Sequence, residues 1–362
     1  MKIAVVVGTR PELIKMAILI KRLKELNEDH IFIHSGQHYD YFMDGTVIDN
    51  FSLPQPDYNL KVGSGSHAIT TSKVMKGVEE IIEKEKIDTI IVHGDTNTTL
   101  GASLAAVKMN IKIAHVEAGL RSFDRGMPEE INRLLVDHIA NYLFTPTDIA
   151  SENLKKEGIT NGVYRVGQTL VDALDYVSKN FESIDFLNSL SLESKNFYFV
   201  TVHRQENTDD PLRLQSILKA LRYIADQSNN PIVFSLHPRT KRKILDYHLF
   251  HLIQSKNIMI LDPPTNFINS VLLQKNAKAV LTDSGGLQEE SCILGTPCIT
   301  LRENTERPET IECGANRLAG YSTDKLIHIV NTIDSDNKIW SHPYGNCGVS
   351  QKVLEIINNT HK

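Results

Sequence analysis

Carboxylates and guanidinium groups crowd one short stretch of the chain, from His115 to Arg133. It reads HVEAGLRSFDRGMPEEINR and contains these ionisable residues: Glu117, Arg121, Asp124, Arg125, Glu129, Glu130 and Arg133. Loops that only connect elements are usually short and built from turn residues. Carboxylates held beside fixed cations can instead transfer protons while the cations stabilise developing charge. The alternative is a solvated loop held by salt bridges, and this stretch alone does not decide between the two.

A second cluster, GTRPE at residues 8–12, follows the first apolar run. Thr9 and Glu12 have the spacing of a capping box at the start of a helix. A helix N-terminus leaves backbone N–H groups free, and the helix dipole adds positive potential there. Arg10 and Lys15 add full charges, so this segment predicts an anion site. The alternative is an ordinary capped helix with a surface arginine.

A third cluster, DSGGLQEE at residues 283–290, begins where another apolar run ends. Gly285 and Gly286 allow the backbone to approach a ligand closely, and the following helix offers N–H groups to a phosphate. Glu290, one turn further on, can accept hydrogen bonds from a ribose. The alternative is that glycine serves only the geometry of the turn. Together with the cations after the first strand, this segment predicts a clamp for a pyrophosphate.

Histidines near predicted strand ends have two interpretations. Three of them are explained as hydrogen-bonded residues of the protein core: His93, His115 and His237. His203, flanked by Arg204 and Glu206, is the better candidate for a functional role. No His/Cys cluster has metal-ligand spacing, and neither a Walker A motif nor a GxGxxG with a following acidic residue is present. The sequence therefore predicts neither a metal site nor a tightly bound NAD.

Composition narrows the class of protein. The 362 residues are 41% hydrophobic and 23% charged, which predicts a soluble globular protein with two domains. A net charge of −5 without a long basic run argues against nucleic acid as the main partner. The cysteines lack CxxC spacing and indicate reduced thiols in a cytoplasmic protein. We expect neither a signal peptide nor a membrane span, because the apolar runs are short.

Apolar runs alternate with amphipathic segments along the chain, which predicts parallel, doubly wound sheets. In the first half the predicted strands include Lys2–Val7, Thr89–His93 and Ile113–Val116. After a polar interval at 178–196, interpreted as a helix end and linker, they include Phe197–Val202 and Ala279–Thr282. Nearly every polar cluster follows a strand, at the edge where open α/β sheets bind ligands. The residues alone thus predict a two-domain α/β protein with carboxylates beside a diphosphate-type ligand.

Seven motifs together resemble the non-hydrolysing UDP-N-acetylglucosamine 2-epimerases. They are GTRPELIK at Gly8–Lys15, HGDTNTTL at His93–Leu100, HVEAGLRS at His115–Ser122, MPEEINR at Met127–Arg133, TVHRQEN at Thr201–Asn207, LTDSGGLQEE at Leu281–Glu290 and TERPE at Thr305–Glu309. The resemblance covers essentially the whole chain. It implies a glycosyltransferase-B-like α/β fold of two Rossmann-like domains facing across a cleft. We expect residues 1–170 plus 346–362 to form the N-terminal domain, and residues 171–345 the nucleotide-binding domain.

The resemblance also implies an activity. Such enzymes interconvert UDP-N-acetylglucosamine and UDP-N-acetylmannosamine without NAD or metal, by anti elimination of UDP to a glycal and re-addition. Matching by position gives acid/base roles to Asp95, Glu117 and Glu129, and leaves open which of them is the base. His203 would contact the diphosphate or assist proton transfer. Substrate binding would fall to Arg10, Lys15, Arg133, Ser270, Ser284, Gly285, Gly286, Glu290 and Arg307.

Further expectations follow from the same resemblance. The uracil would lie along DPPTNFINSVLL, where Ser270 falls near the position of an aromatic residue in some members. The domains would close on the nucleotide, with the last helix, near Val349–Ile357, returning to the first domain. A regulatory UDP-sugar site would involve Gln37, His38, Arg204, Glu206 and His237. The protein would be a cytoplasmic homodimer serving cell-surface polysaccharide biosynthesis.

Three alternative functions are compatible with parts of this pattern. Sister enzymes epimerise UDP-2,3-diacetamido-glucuronate at the same carbon, although GTRPE and Glu306-Arg307-Pro308 favour the N-acetylglucosamine branch. A glycosyltransferase of the same fold would keep the nucleotide site but need an acceptor cleft. A sugar-nucleotide sensor would bind without catalysis. The intact acid/base carboxylates argue against a sensor.

Overall fold

The computed structural model divides the chain into two compact units. The first unit comprises Met1–Asp175 and Tyr344–Lys362, and the second comprises Tyr176–Pro343. The structure describes residues 1–37, 41–228, 230–333 and 339–360, without the side chains of residues 41–44. The sequence analysis predicted these two domain boundaries after residues 170 and 345. Within the described ranges, every helix is too short or too polar to span a bilayer.

The first unit is built on a seven-stranded sheet with the order β3-β2-β1-β4-β5-β6-β7. Its strands are β1 (Ile3–Val7), β2 (His30–His34), β3 (Tyr58–Asn59), β4 (Thr89–His93), β5 (Lys112–Val116), β6 (Tyr142–Thr145) and β7 (Val163–Arg165). Its helices are α1 (Arg10–Glu25), α2 (Tyr41–Phe51), α3 (His67–Glu85), α4 (Asn97–Lys108), α5 (Pro128–Ile139), α6 (Asp148–Lys156) and α16 (Val349–Thr360). Helix α7 (Leu170–Asn180) carries the chain into the second unit.

The second unit contains a six-stranded sheet with the order β10-β9-β8-β11-β12-β13. Its strands are β8 (Tyr198–Thr201), β9 (Ile232–Ser235), β10 (Ile258–Leu261), β11 (Ala279–Thr282), β12 (Cys298–Thr300) and β13 (Asn316–Leu318). Its helices are α8 (Ser183–Ser189), α9 (Gln205–Thr208), α10 (Pro211–Gln227), α11 (Pro238–Asp246), α12 (Phe267–Asn276), α13 (Gly285–Leu294), α14 (Pro308–Glu312) and α15 (Thr323–Thr332). A 3-10 helix spans Phe250–Leu252.

Local sequence explains why these elements form. The residues of β1 and β4 are all buried, as expected for apolar, β-branched runs covered by helices on both faces of a parallel sheet. Helix α1 buries Leu13, Ala17 and Ile20, which recur at the spacing of one helix face. Helix α16 packs against α1, so the C-terminal segment belongs to the first unit.

The α/β class and the two parallel sheets are confirmed. Two differences concern short elements. Sequence reasoning missed the edge strands β3 and β13, because two or three residues carry too little periodicity to be recognised. The interval 178–196 is not only helix end and linker, since it contains α8, which buries Leu187 against the second unit's core.

Candidate active site

The strand orders create a switch point in each sheet, where the chain winds outward in opposite directions. In the first unit this point lies between β1 and β4, which lead into the GTRPE segment and Asp95. In the second unit it lies between β8 and β11, which lead into His203 and Ser284. Ligands of open α/β sheets bind beyond the carboxyl ends of the strands at such points. The topology therefore places the predicted clusters where a ligand is expected.

Helix α1 begins with the Thr9–Glu12 pair that the sequence predicts. The Glu12 carboxylate accepts hydrogen bonds from the N–H groups of Gly8 at 2.9 Å and Thr9 at 2.8 Å. It also accepts one from the Thr96 hydroxyl at 2.8 Å. Both N–H groups precede the first helical residue, so the capping box orders the turn before α1. The anion site at the helix start, with Arg10 and Lys15 as its charges, stays a prediction.

Glu117 is buried at the end of β5 and has an unusual backbone conformation. Its φ is +73°, in the left-handed region that residues with side chains rarely adopt. Such strain costs about 1–3 kcal/mol and persists only where surrounding contacts hold it. The Glu117 Oε1 accepts hydrogen bonds from Lys15 Nζ and Gln168 Nε2, each at 2.5 Å. The structure thus places Lys15, predicted to bind substrate, against a predicted acid/base carboxylate.

Asp95 follows β4 and forms an ion pair with Arg133 of α5. The neighbouring Asn132 amide donates to the Asp95 backbone carbonyl at 2.8 Å, which ties α5 to this turn. Burial raises the pKa of Asp95, the positive charge of Arg133 opposes that shift, and the negative charge of Glu117 adds to it. A carboxyl group with a raised pKa holds a proton more readily near neutrality, which suits proton transfer.

Glu129 faces the same cavity as Asp95. The cavity has a volume of about 350 Å³ and lies within the first unit, where its lining also includes Gln37, His67 and Asn97. Glu129 lies in the first turn of α5, where the helix dipole stabilises a negative charge. The three predicted acid/base carboxylates are therefore grouped in the first unit, two on this cavity and the third within electrostatic reach of Asp95.

Glu130, in the same charged stretch, serves the structure of the loop. It is 2% exposed and accepts hydrogen bonds from the N–H groups of Ser122 at 2.9 Å and Phe123 at 3.0 Å. Arg133 Nη1 donates to it at 2.9 Å. Burial alone would raise the pKa of Glu130, but these hydrogen bonds lower it below its ordinary value. Glu130 therefore holds the loop as a charged anchor.

A second buried network holds the start of this stretch. The Asp137 carboxylate accepts hydrogen bonds from His115 Nδ1 and Arg121 Nη1, each at 2.7 Å. Arg121 also forms a bidentate pair with Glu157, with both N···O distances at 2.7 Å. His115 Nε2 lies 2.8 Å from the Gly94 carbonyl, so both ring nitrogens face acceptors. His115 is thus a satisfied core histidine. Salt bridges hold this part of the stretch, but those of Asp137 are buried and not solvated, unlike the loop that the alternative interpretation described.

His93, at the end of β4, was also predicted to be a hydrogen-bonded histidine of the core. It is 3% exposed, and neither ring nitrogen has a hydrogen-bond partner among the described residues. Its Nε2 lies 3.5 Å from Glu117 Oε2. Burial lowers the pKa of His93 to about 4, so the ring is neutral at pH 7. The prediction of a satisfied core histidine is wrong for His93.

In the second unit, Asp283 organises the loop after β8. This fully buried carboxylate accepts hydrogen bonds from the N–H groups of His203 and Arg204 and from the Asn207 amide, each at 3.0 Å. The His203 side chain is 35% exposed, and its ring centroid lies 5.7 Å from that of His237. His237 caps helix α11 through its ring nitrogen. His237 is exposed and His203 is half-buried, so His237 is the more accessible of the two and is not the core residue that the sequence predicted.

Gly285 and Gly286 form the first turn of α13, and the fold itself does not require glycine there. Neither residue has a positive φ. A Cβ added to Gly285 would meet its nearest neighbour at 3.9 Å, and one added to Gly286 at 3.8 Å, both ordinary contacts. Turn geometry therefore does not explain the pair. A ligand at this helix N-terminus would need such space, which favours the anion-binding interpretation.

Buried partners hold the other side chains predicted to bind the nucleotide. The Gln274 amide donates to Glu290 at 2.5 Å and to the Ser270 hydroxyl at 3.3 Å. Glu289, which is 2% exposed, forms an ion pair with Arg307 at 2.6 Å. Ser270 and Glu290 thus share one network, and Arg307 belongs to a neighbouring ion pair.

Two residues of the predicted regulatory site, Arg204 and Glu206, belong to one charged network in the second unit. Glu206 pairs with Arg302 at 2.6 Å, Arg302 lies 3.6 Å from Glu306, and Glu306 lies 3.9 Å from Arg204. His38 lies outside the described residues. Within the described ranges, no three His, Cys, Asp or Glu side chains are grouped as a metal site requires.

Comparison with known proteins identifies the family. The model of a family described as UDP-N-acetylglucosamine 2-epimerase matches residues 21–358. The chain belongs to the UDP-N-acetylglucosamine 2-epimerase family. The family expected from the seven sequence motifs is therefore confirmed.

Members of this epimerase family align with nearly the whole chain. The UDP-N-acetylglucosamine 2-epimerase of Methanocaldococcus jannaschii is 45% identical, with 99% of each chain covered. The crystal structure of the M. jannaschii UDP-GlcNAc 2-epimerase in complex with UDP-GlcNAc and UDP gives a TM-score of 0.85 at 45% identity, covering 99% of this chain and 100% of that one. The UDP-2,3-diacetamido-2,3-dideoxy-D-glucuronate 2-epimerase of Pseudomonas aeruginosa is 38% identical, with 99% of each chain covered.

Sequence reasoning did not single out four residues of this family member that support the predicted site: Gln168, Gln274, Asp283 and Glu289. Each is a polar or charged side chain that is at most 2% exposed and bonded to a predicted site residue or its backbone. Burial of a polar group is the signal that would have found them. That signal is not visible in the sequence, although Asp283 and Glu289 lie inside a recognised motif.

Proposed function

We propose that this chain is an isomerase that interconverts UDP-N-acetylglucosamine and UDP-N-acetylmannosamine by inverting C2. Family membership across the chain supports the reaction. The structural observation that carries the proposal is the grouping of Asp95, Glu117 and Glu129 with Lys15 and Arg133 in the first unit.

The proposed mechanism is anti elimination of UDP followed by its re-addition. The proton on C2 is removed as the C1–O bond to the diphosphate breaks, which leaves a glycal with a C1–C2 double bond. UDP then adds back to C1 and a proton returns to the opposite face of C2. No carbonyl acidifies the C2 hydrogen, so positive charge must assist departure of the diphosphate. Carboxylates take and return the proton, and the raised pKa of Asp95 supports such a role.

We propose that the second unit holds the nucleotide. The free space at Gly285 and Gly286 supports contact between the α13 N-terminus and the diphosphate. The half-buried ring of His203 would contact the same group, and Glu290, positioned by Gln274, would bind the ribose. The remaining proposed substrate contacts are Arg10, Lys15, Arg133, Ser270, Ser284 and Arg307.

Proton NMR of UDP-N-acetylglucosamine with the purified protein in D2O tests the reaction. Elimination and re-addition exchange the C2 hydrogen with solvent, so UDP-N-acetylmannosamine should appear with deuterium at C2. Product without deuterium, or strict dependence on added NAD, would contradict the mechanism. Transfer to an acceptor or binding without turnover would favour the glycosyltransferase or the sensor.

Similarity to the P. aeruginosa enzyme makes the substituents of the sugar a separate test. UDP-N-acetylglucosamine and UDP-2,3-diacetamido-2,3-dideoxy-glucuronate should be compared as substrates at equal concentration. We expect higher kcat/KM for UDP-N-acetylglucosamine. The reverse order would move the chain to the sister activity while leaving the C2 chemistry unchanged.

We also propose that Gln37, His38, Arg204, Glu206 and His237 take part in activation by UDP-N-acetylglucosamine. Kinetics starting from pure UDP-N-acetylmannosamine test this, because an obligatory activator would produce a lag that added UDP-N-acetylglucosamine removes. Activity without a lag would contradict this activation.

We also propose that the protein is a cytoplasmic homodimer. Light scattering after size-exclusion chromatography measures its oligomeric state.

A further inference from the structure

Gln168 joins the Glu117 carboxylate to the segment on which the chain returns to the first unit. Its side chain is 1% exposed, and its Nε2 donates to Glu117 Oε1 at 2.5 Å. Its backbone N–H donates to the Tyr344 carbonyl at 2.9 Å. Tyr344 is the first residue of the returning segment. Gln168 therefore contacts both the Glu117 carboxylate and the returning segment.

The backbone around Gln168 is held on both sides. Gly167, directly before it, has a φ of +103°, and an added Cβ would lie only 2.7 Å from the Tyr344 carbonyl oxygen. Asp172, four residues later, accepts a hydrogen bond from the Gly348 N–H at 2.6 Å. The amide of Gln168 thus has a direction set by the fold, because its backbone cannot shift without breaking these contacts.

A neutral donor suits a carboxylate that must both lose and regain a proton. Lys15 already places a positive charge 2.5 Å from Glu117 Oε1. A second cation would favour the charged carboxylate further and make it a weaker base. An amide orients the oxygen by a directional hydrogen bond without adding charge. At the backbone end of the same side chain, the left-handed conformation of Glu117 limits its conformational freedom.

We propose that Gln168 is a positioning residue for proton transfer by Glu117. The proposal rests on the proposed function, since it requires Glu117 to exchange a proton with the sugar. Gln168 and Lys15 together anchor Oε1, so that the carboxylate is oriented before the substrate binds. Small errors in the placement of a reacting group cost large factors in rate, which is why such an anchor matters.

Two variants separate orientation from folding. Gln168→Met keeps the length of the side chain but removes the donor, and Gln168→Glu replaces the donor with an acceptor. A hydrogen bond to a charged group is worth enough that kcat should fall about 10- to 100-fold in the methionine variant. The fall should be larger in the glutamate variant, which adds a like charge. The KM and the Kd for UDP should stay within about twofold of wild type, since neither depends on the orientation of Glu117.

Titration of Glu117 supplies a readout that a purely structural role would not move. The titratable groups that face Glu117 include Lys15, His93, Asp95 and His115, and neither variant alters them. Loss of a donor to the charged form should raise the pKa of Glu117, measured by carbon-13 NMR of the full chain with labelled glutamate. A Glu117→Gln variant assigns the signal. The matching limb of the pH profile of kcat should move in the same direction.

Gly162→Ala is the control for lost stability, because its Cβ would lie 2.2 Å from the Asn141 carbonyl oxygen and Gly162 makes none of the contacts described for Gln168 or Glu117. It should lower the melting temperature and leave both the Glu117 titration and the pH profile unchanged. An unchanged kcat and titration in Gln168→Met would overturn the proposal. Equal losses of kcat, UDP binding and stability without a titration shift would also overturn it, in favour of a structural role. Absence of epimerisation by the wild type would refute the proposed function, and is measured first.

Discussion

Replacing His93 by glutamine should make the stability of the first unit less sensitive to acid. The pKa of His93 is lowered from 6.5 to about 4 by burial, so the unfolded chain takes up the proton first. The stability that depends on the neutral ring is present above pH 6.5 and is lost as the pH falls toward 4. Each pH unit in that window changes the free energy by up to about 1.4 kcal/mol, so at pH 5 this residue alone destabilises the wild type by about 2 kcal/mol.

The difference between wild type and His93→Gln isolates this effect, because the charged groups facing His93 are the same in both. These groups are Glu117, Lys15 and His115. Hydrogen exchange of peptides covering β4 measures the free energy of opening of the first unit at pH 7 and pH 5. The deficit of the variant at pH 7 should shrink by about 2 kcal/mol at pH 5. The exposed His138, changed to glutamine in a parallel variant, is the control for a histidine-to-glutamine substitution at the surface.

An equal pH dependence in wild type and variant would refute the reasoning. It would mean that the His93 ring gains a proton in the folded state as readily as in the unfolded one. A deficit that grows on acidification would reverse the sign, and would show that the charged ring is stabilised by Glu117 at 3.5 Å more than burial opposes it.

The remaining predictions concern turnover, binding and backbone geometry. We expect turnover to fall about 10²–10⁴-fold in each of three variants: Asp95→Asn, Glu117→Gln and Glu129→Gln. Their affinity for UDP, measured by calorimetry, should stay near that of the wild type. A variant with full turnover would remove that residue from the mechanism. Arg10→Ala should weaken UDP binding in a salt-dependent way, and unchanged affinity would make Arg10 a surface residue. Gly286→Ala should keep the melting temperature but weaken UDP binding, because the new methyl group would make only ordinary contacts with the protein, at 3.8 Å or more, yet would crowd a ligand at the helix N-terminus. Gly119→Ala should destabilise far more than Gly158→Ala, since both have left-handed backbones but only the first Cβ would lie 2.3 Å from a carbonyl oxygen. Equal melting temperatures of those two variants would contradict that reasoning.

The sequence by itself determined the class of fold and the location of the clusters along the chain. Apolar, β-branched runs become buried parallel strands, and a cap such as Thr9 with Glu12 marks the start of a helix, because both depend on residues close in sequence. The order of the motifs was enough to indicate the family. Short edge strands such as β3 escaped, because two residues show no period.

The tertiary structure alone decided which of these residues meet. Lys15 and Glu117 are separated by 102 positions and Gln168 and Glu117 by 51. All three side chains nevertheless converge, because the parallel strands that precede them, β1, β5 and β7, end at the same edge of one sheet. The same holds for His93 and His115, which have similar sequence surroundings at neighbouring strand ends. His115 donates or accepts at both ring nitrogens, toward Asp137 and a carbonyl, whereas neither ring nitrogen of His93 has a hydrogen-bond partner among the described residues, and its Nε2 lies 3.5 Å from Glu117 Oε2. Strand order and side-chain direction set these partners, and neither is a local property of the chain.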